Sequence, residues 1–489
     1  MKHNTRKSKL RKPGSKAKPR KAPRKAQLRT SSSGSPVNPP RVIVKFRDGV
    51  ALRYDDHVDR QLLELDAAHW RRIKERFAGI AIRRMFRSVT PRRLQELVQR
   101  ALRQSEGYRP PNFLTYFVVD LPADIDSNEL LKTLLEWRIV EIAYFEAPAE
   151  DPVVTSQDPS LPSIDPKMIH QGYLDAAPNG IDAKYAWTLP GGDGAGQHFI
   201  DLEQGWTLDH EDLKAHGAQV RYGTIVDTSR PHGTCVLGVV CAVTNRVGCR
   251  GIAFGLSSVN VVSHSGNVET VADTIVAAVN EMDLGSVLLL EVQRQLLPTE
   301  RYLADFDAIA LATASGITVI EAAGNGSSNL DLVGDESGAL VFAKGARDSG
   351  SILVGAADSA LPHQRRASSN FGSRVNCFAW GENVTAPTST KVPRYSQTAY
   401  TNYFDGTSSA APIIAGAALV VQGIATAKAG IRLNAFQMRQ LLANSSLGTP
   451  CPNPQAENIG VMPDLSKILQ SQIFNTMLLT QAPAVAPHR

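Results

Sequence analysis

The first 40 residues contain no aspartate or glutamate, although they carry 13 lysines and arginines. Such a segment is too charged and too rich in proline and serine to build a packed core, so we expect residues 1–40 to form a disordered basic tail. The segment also lacks the apolar stretch of a secretory signal. A basic tail can contact nucleic acid or an anionic surface, but we do not favour this partner because no aromatic residue interleaves the charges.

Cysteines are also scarce, with five in 489 residues, and their spacing fits no metal site. An odd number of cysteines without an export signal favours free, buried thiols over disulfides. No apolar run reads as long enough to cross a bilayer, so we expect no transmembrane segment. Together these absences lead us to expect a cytoplasmic, soluble protein rather than a disulfide-stabilised or membrane-embedded one.

The net charge of +6 hides an asymmetry along the chain. Residues 41–150 hold 19 basic and 17 acidic side chains, and residues 151–489 sum to −9. A cationic tail thus precedes an acidic body, which favours attraction between the two. The length allows two to three domains with a sizeable core.

Residues 41–149 have the pattern of a small α+β domain. We predict amphipathic helices at about 57–78 and 90–104, and a third helix that begins with a capping box at Asp126. Strand-like runs alternate with the helices, at 42–46, 80–86, 114–120 and 140–145. A sheet of about four strands with helices on one face accounts for this order.

A proline-rich linker follows at 150–180, and residues 181–470 then alternate strands with helices. The predicted helices are at 232–244, 268–282 and 300–314, and the strands are at 197–200, 259–262, 286–290, 316–320 and 351–355. Continuously apolar strands in this alternation predict an α/β fold with a parallel, doubly wound sheet. Residues 471–489 are predicted to be a C-terminal tail.

The heptad at 406–412 (GTSSAAP) precedes a run that is apolar on every side and rich in glycine and alanine. Such a run is typical of a buried central helix. A serine at the start of that helix, Ser408, lies where unpaired backbone N–H groups converge, so it can attack a carbonyl and help to hold the oxyanion. A simple helix cap is the other interpretation of the same residues.

Two further polar residues fall where parallel sheets place their sites. Asp201 follows the strand at 197–200, and His232 begins a helix. A serine nucleophile needs a base such as imidazole, and the imidazole needs a carboxylate that fixes its tautomer. Aspartate, histidine and serine are therefore the residue types that this chemistry requires.

The chain resembles the subtilisin-like serine proteases, or subtilases. Four motifs match in the family's order: Asp201 after a strand, 232–234 (HGT), 322–326 (AAGNG) and 406–412. Weaker matches lie at 210–213 (HEDL), 251–253 and 369–372. The resemblance covers roughly residues 181–469. It implies that Ser408 is the nucleophile, His232 the general base and then acid, and Asp201 the orienting carboxylate.

The same resemblance implies that the Asn325 side chain and the Ser408 N–H form the oxyanion hole. It implies peptide-bond hydrolysis through an acyl-enzyme with no required cofactor. Structural calcium is not favoured, although Asp212 and Asn245 match calcium-binding positions of relatives, because Arg246 adds a positive charge to that loop.

The substrate segment departs from the family pattern. The resemblance assigns substrate contacts to these residues: Glu291, Val292, Gln293, Ala323 and Gly324. In relatives the first three positions read Ser-Leu-Gly.

Two further acidic residues stand where relatives have small ones. Glu321 is at the end of the strand at 316–320, and Glu203 lies two residues past Asp201. One hypothesis is that Glu291 and Glu321 form an acidic pocket that prefers basic or small side chains. A second is that the altered segment blocks extended substrates. The alternative is that these carboxylates are structural, paired with Arg294 or Arg250.

The region at 41–149 resembles, more faintly, the propeptide of secreted subtilases. This implies a precursor that cleaves itself at about 147–165 and whose own propeptide-like domain is a partner, although an accessory domain that is never removed fits as well. The family is mostly exported, which is the alternative to a cytoplasmic location. The leading hypothesis is a serine endopeptidase, and the alternative is a subtilase-fold binding or regulatory protein with restricted or no general proteolysis.

Overall fold

The computed structural model describes residues 41–122, 125–151, 167–265, 270–335, 337–390 and 394–481. The predicted basic tail and residues 152–166 of the predicted linker lie outside these residues. All five cysteines lie within them and are buried and free, as predicted.

The amino-terminal α+β region has the four predicted strands and three helices. Its antiparallel sheet has the order β2-β3-β1-β4. Thr90 and Asp126 cap the second and third helices by accepting backbone N–H groups of the first turn. The elements are β1 (Arg41–Phe46), α1 (Val58–Arg76), β2 (Ala81–Arg84), α2 (Pro91–Gln104), β3 (Tyr116–Asp120), α3 (Ser127–Leu135) and β4 (Val140–Glu146).

A nine-stranded sheet forms the centre of the second region, in the order β16-β17-β13-β12-β11-β8-β5-β7-β6. Its strands are parallel except for the β16–β17 pair, which confirms the predicted α/β class. The strands are β5 (His198–Glu203), β6 (Gln219–Tyr222), β7 (Ser258–Ser263), β8 (Val287–Leu290), β11 (Thr318–Ala322), β12 (Ile352–Ala357), β13 (Val375–Trp380), β16 (Gly448–Pro450) and β17 (Val461–Pro463).

Two short antiparallel ribbons lie outside this sheet: β9 (Gln293–Arg294) with β10 (Leu297–Pro298), and β14 (Val384–Thr388) with β15 (Ala399–Phe404). The predicted C-terminal tail contains a helix instead, with Phe474 buried. The helices of this region are α4 (Ala183–Ala186), α5 (Arg230–Cys241), α6 (Val271–Glu281), α7 (Leu303–Ala314), α8 (Thr407–Ala429), α9 (Ala435–Leu442), α10 (Leu465–Gln470) and α11 (Gln472–Gln481).

Helix α8 is the predicted central helix, and it corrects one expectation. By length and composition it could cross a membrane, contrary to the expectation that no apolar run is long enough to do so. However, 89% of its apolar window is buried inside the protein. That burial is what a core helix of a large sheet protein shows, and its amino-terminal end points at the site described below.

The amino-terminal region packs against helices α6 and α7. The Ser88 N–H donates to the Asp273 carboxylate in the first turn of α6 at 3.0 Å, and Arg100 donates to carbonyls at the other end of α6. The Tyr116 hydroxyl donates to Asp307 of α7 at 2.6 Å. These polar contacts fix how the last strand, β4, approaches the second region.

Candidate active site

Strand β5 supplies two buried carboxylates to one face of the sheet. It lies between β7 and β8, and its side chains alternate between the two faces. Ile200 and Leu202 pack in the core beneath α6 and α7, whereas Phe199 packs in the core around α5 and α8. Asp201 and Glu203 share the face of Phe199, and neither is exposed.

His232 lies in the first turn of α5, and its carboxylate partner is Glu203. The distance from His232 Nδ1 to Glu203 Oε2 is 2.6 Å. Asp201 instead accepts the indole N–H of Trp206 at 2.7 Å. The geometry therefore corrects the sequence assignment: the carboxylate on the imidazole belongs to the residue two positions further along β5.

The approach of Glu203 to His232 depends on glycines on both sides. A Cβ at Gly233 would lie 2.4 Å from the Gly205 carbonyl oxygen, closer than any side chain tolerates. Because Gly233 and Gly205 have no side chains, the loop after β5 can contact the first turn of α5. Gly205, two residues after Glu203 in the sequence, makes this close contact with α5.

The two carboxyl groups of β5 are arranged so that one proton can lie between them. Burial raises the pKa of Asp201 well above its usual range, and the neighbouring Glu203 charge and a hydrogen bond to Glu203 act the same way. Burial also raises the pKa of Glu203, followed by the charge of Asp151, but the hydrogen bond from Asp201 opposes this rise. Among the described residues, no other group donates to Asp201 Oδ1 or Glu203 Oε1. A protonated Asp201 that donates to Glu203 satisfies both oxygens.

The imidazole of His232 is neutral in this setting. Burial lowers its pKa, and the charges of Asp151 and Asp201 only partly offset the effect. Nδ1 holds its proton against Glu203, and Nε2 has no hydrogen-bond partner within the described part of the chain. Nε2 is thus the nitrogen that can accept a proton.

Ser408 is fully buried in the first turn of α8, beside an ordered amide. The preceding residue, Thr407, donates both its N–H (3.1 Å) and its hydroxyl (3.2 Å) to Asn325 Oδ1. These two bonds identify Oδ1 as the acceptor side of the Asn325 amide and Nδ2 as its donor side. Burial raises the pKa of Glu291, the charges of Glu203 and Asp201 add to it, and contact with Ser408 opposes it. Ser408 therefore lies next to the Glu291 carboxyl group, which in turn feels the charges of both β5 carboxylates.

The predicted substrate segment continues β8 along the site. The Glu291 N–H donates to the Leu202 carbonyl at 3.0 Å. Val292 is buried, and the Gln293 side chain is turned inward, where Oε1 accepts the Asn325 N–H at 3.1 Å. The bulk of Gln293 is therefore directed away from the surface where an extended chain pairs.

The other predicted contact residues have internal partners. The Ala323 carbonyl accepts Asn370 Nδ2 at 2.7 Å, and the Gly324 carbonyl accepts the Asn370 N–H at 3.0 Å. Gly324 has φ of +85°, and a Cβ there would lie 2.6 Å from the Leu296 oxygen. These residues shape the loop that carries Asn325.

Glu321 lies in a different environment from Glu291. Its Oε1 accepts the Glu300 N–H at 3.1 Å, and Arg374 lies 3.0 Å from the Glu300 carboxylate. The alternative that these carboxylates pair with Arg294 or Arg250 is wrong about the partners. Arg294 pairs with Glu146 and Asp305 instead, and Arg250 lies over the rings of Trp187 and Phe254.

The chain's own residues after β4 occupy the cleft. Glu150 exchanges two backbone hydrogen bonds with Gln293, of 2.8 and 3.0 Å, in an antiparallel bridge. Arg294 holds the preceding residues through Glu146 and the Ala147 carbonyl. The next side chain, Asp151, has a carboxylate atom within 4.8 Å of ligand atoms of Glu203 and His232, a set of groups that could hold a metal ion.

The predicted calcium position is organised by hydrogen bonds. Asp212 Oδ1 accepts Asn245 Nδ2 at 3.0 Å, and Oδ2 accepts the Cys249 N–H at 2.9 Å. Asn245 Oδ1 accepts the Val247 N–H at 3.0 Å. Each oxygen of the Asp212 carboxylate is thus held by a donor of the protein itself.

The chain is similar in sequence and in fold to several known proteins. Over 335 residues the chain is 27% identical to an extracellular serine proteinase of a Thermus species, which is 68% of this chain and 72% of that protein. Over 226 residues it is 31% identical to subtilisin DY of Bacillus licheniformis, covering 45% of this chain and 74% of that protein. The crystal structure of fervidolysin from Fervidobacterium pennivorans shares the fold with a TM-score of 0.54 at 16% identity, over 89% of this chain and 61% of that one. The profile of the subtilase family matches residues 202–461, and the chain belongs to this family of subtilisin-like serine endopeptidases.

Proposed function

We propose that the protein hydrolyses peptide bonds with a Glu203–His232–Ser408 triad, in which glutamate replaces the aspartate expected from the sequence. The observation that carries this proposal is the 2.6 Å contact between His232 Nδ1 and Glu203 Oε2. A carboxylate in this position fixes the imidazole tautomer and stabilises the imidazolium that forms during the reaction.

The proposed steps give each group the role that its chemistry allows. Ser408 Oγ attacks the substrate carbonyl carbon while His232 Nε2 takes its proton, and Glu203 stabilises the resulting charge through Nδ1–H. The Ser408 N–H and Asn325 Nδ2 hold the tetrahedral oxyanion. His232 then gives the proton to the leaving amine, and water hydrolyses the acyl-enzyme by the same route in reverse. No step needs a metal or an organic cofactor.

The peptidase assay compares the wild type with Ser408→Ala on denatured casein. Cleavage that is lost in Ser408→Ala supports the proposal. Cleavage that persists in Ser408→Ala assigns the activity to another group, and a folded wild type without any cleavage favours the alternative of a binding or regulatory protein.

We further propose that the protein is made as a precursor that cleaves itself on the carboxyl side of Asp151, within the predicted region of 147–165. The antiparallel bridge at Glu150 and the position of Asp151 beside His232 support this proposal, because they align the chain as a substrate. Intact mass of wild type and Ser408→Ala tests it. A shortened chain in the wild type alone is expected, and equal masses contradict self-processing.

The location that we propose is extracellular. The Thermus relative is named an extracellular enzyme, whereas no comparison supports the cytoplasmic expectation. Fractionation of the producing cells tests the location.

A further inference from the structure

The cleft holds an acidic side chain next to the reacting groups. Asp151 follows the Glu150–Gln293 bridge, and only 5% of its side chain is exposed. Its carboxylate faces Glu203 of β5 and His232 of α5, and its Oδ1 lies 3.9 Å from Nε2 of His264. The bond proposed for cleavage lies on the carboxyl side of this residue.

His264 comes directly after β7, at the same end of the sheet as Glu203. Its backbone N–H donates to the Glu203 carbonyl at 3.1 Å, and its side chain is 1% exposed. Neither ring nitrogen has a hydrogen-bond partner in the described ranges, and neither does Asp151 Oδ1. Buried polar groups without partners are costly, so a group that satisfies them is expected to be preferred there.

We propose that His264 forms a subsite for an acidic side chain on the amino side of the cleaved bond, and that Asp151 is its internal occupant. This inference rests on the proposed peptidase function. An imidazole N–H that donates to a carboxylate satisfies both buried groups, whereas a neutral amide accepts a weaker bond and an apolar side chain leaves His264 without a partner.

The remaining charges are compatible with this subsite. Glu203 repels an incoming carboxylate, but one of its oxygens is held on His232. When His232 becomes an imidazolium, the Glu203–His232 pair is neutral overall and its repulsion of the acidic side chain is relieved. The carboxylate thus interacts most favourably in the state that leads to cleavage.

A divalent metal is the competing occupant of these groups. Asp151, Glu203 and His232 have the right donor types, but Glu203 and His232 already bond to each other at 2.6 Å. The arrangement therefore favours His264, rather than a metal ion, as the partner of the acidic side chain. Running every assay with and without a chelator separates the two.

The test uses quenched peptides with the sequence of residues 147–155, containing Asp, Asn or Leu at the position of Asp151. The full-length protein is allowed to process, its mass is recorded, and kcat/KM is measured near pH 6 beside casein as a general substrate. We expect the Asp peptide to be cleaved about tenfold faster than its Asn counterpart, as for a charge-assisted contact. In His264→Gln the ratio is expected to fall to about two or less. His198→Gln, at the opposite end of β5, is the control and keeps the tenfold ratio.

Each other outcome overturns the inference. Equal rates for Asp and Asn peptides in the wild type, or a preference that survives His264→Gln, remove the subsite. Casein cleavage without cleavage of the Asp peptide does the same while leaving the peptidase intact. A preference that disappears with chelator assigns the site to a metal. Absence of any cleavage, casein included, is instead a failure of the proposed function.

Discussion

Replacing each of the two carboxylates of β5 by the corresponding amide tests which of them acts on His232. Glu203→Gln keeps the size of the side chain but removes the charge that faces Nδ1 at 2.6 Å. Asp201→Asn keeps an oxygen for the Trp206 indole N–H and gives Glu203 a permanent N–H donor in place of the shared proton. The two variants differ from wild type by one atom each, so packing is nearly constant.

The structure predicts opposite consequences for the two variants. The charge pair forms only when His232 becomes an imidazolium during the reaction, and breaking a buried charge pair by removing one partner costs about 3–5 kcal/mol, which is roughly 10²- to 10⁴-fold in rate. We therefore expect kcat/KM of Glu203→Gln to fall by that factor. Asp201→Asn retains activity within about tenfold, since a hydrogen bond between neutral and charged groups is preserved.

Asp201→Leu provides the control for a purely structural role. It leaves the Trp206 N–H and one Glu203 oxygen unpaired, each at a cost of about 1–3 kcal/mol. We expect a lower Tm than for Asp201→Asn. The assay is hydrolysis of a peptide substrate, with Tm recorded for each variant. A large loss in Asp201→Asn together with near-wild-type activity in Glu203→Gln would refute the assignment and restore the one made from the sequence.

Three further predictions concern stability and close packing. Because Asp212 is satisfied by protein donors, Tm in millimolar Ca²⁺ is expected to match Tm in chelator within about 1 °C, and a rise of several degrees would contradict this. Burial raises the pKa of Glu291 well above its usual range, so the stability of the fold is highest when this group is protonated and falls as pH rises above about 4.5. The Tm of Glu291→Gln is therefore expected to fall less than that of the wild type between about pH 5 and pH 8, and an equal fall would count against a raised pKa of Glu291. Gly233→Ala, whose new Cβ would meet the Gly205 oxygen at 2.4 Å, is expected to lower kcat/KM at least tenfold, whereas Gly107→Ala, which has open space, leaves it unchanged.

The elements that carry the site could be predicted because their signals are local. The apolar run after Ser408 predicts a buried helix, and the observed helix α8 begins at Thr407. The alternation of apolar strands and helices predicts the parallel sheet, and Asn325 follows β11 as expected. In each of these cases a few adjacent residues determine the result.

The identity of the carboxylate was predicted wrongly for a physical reason. The apolar run at 197–200 suggested that the strand ends before Asp201, but β5 continues to Glu203. Asp201 and Glu203 share one face, so periodicity alone does not distinguish them. The close approach at Gly205 decides in favour of Glu203, and this contact joins segments that only the folded chain brings together.

The position of Asp151 beside His264 was beyond sequence reasoning altogether. The two residues are brought together by the packing of the amino-terminal region on α6 and α7 and by the Gln293 bridge. Contacts of this kind depend on the path of the whole chain. Neither histidine nor aspartate stands in a motif that would reveal the pairing.

Labelling with a fluorophosphonate tests the central claim most directly, since the reagent reacts with a serine only when a base activates it. The processed wild-type protein is incubated with the probe, digested, and the modified residue is located by peptide mass. We predict a single modification on Ser408, which is lost in His232→Ala and strongly slowed in Glu203→Gln. Labelling of Ser408 that is equally fast in all three proteins, or a folded wild type that is not labelled at all, would contradict the account.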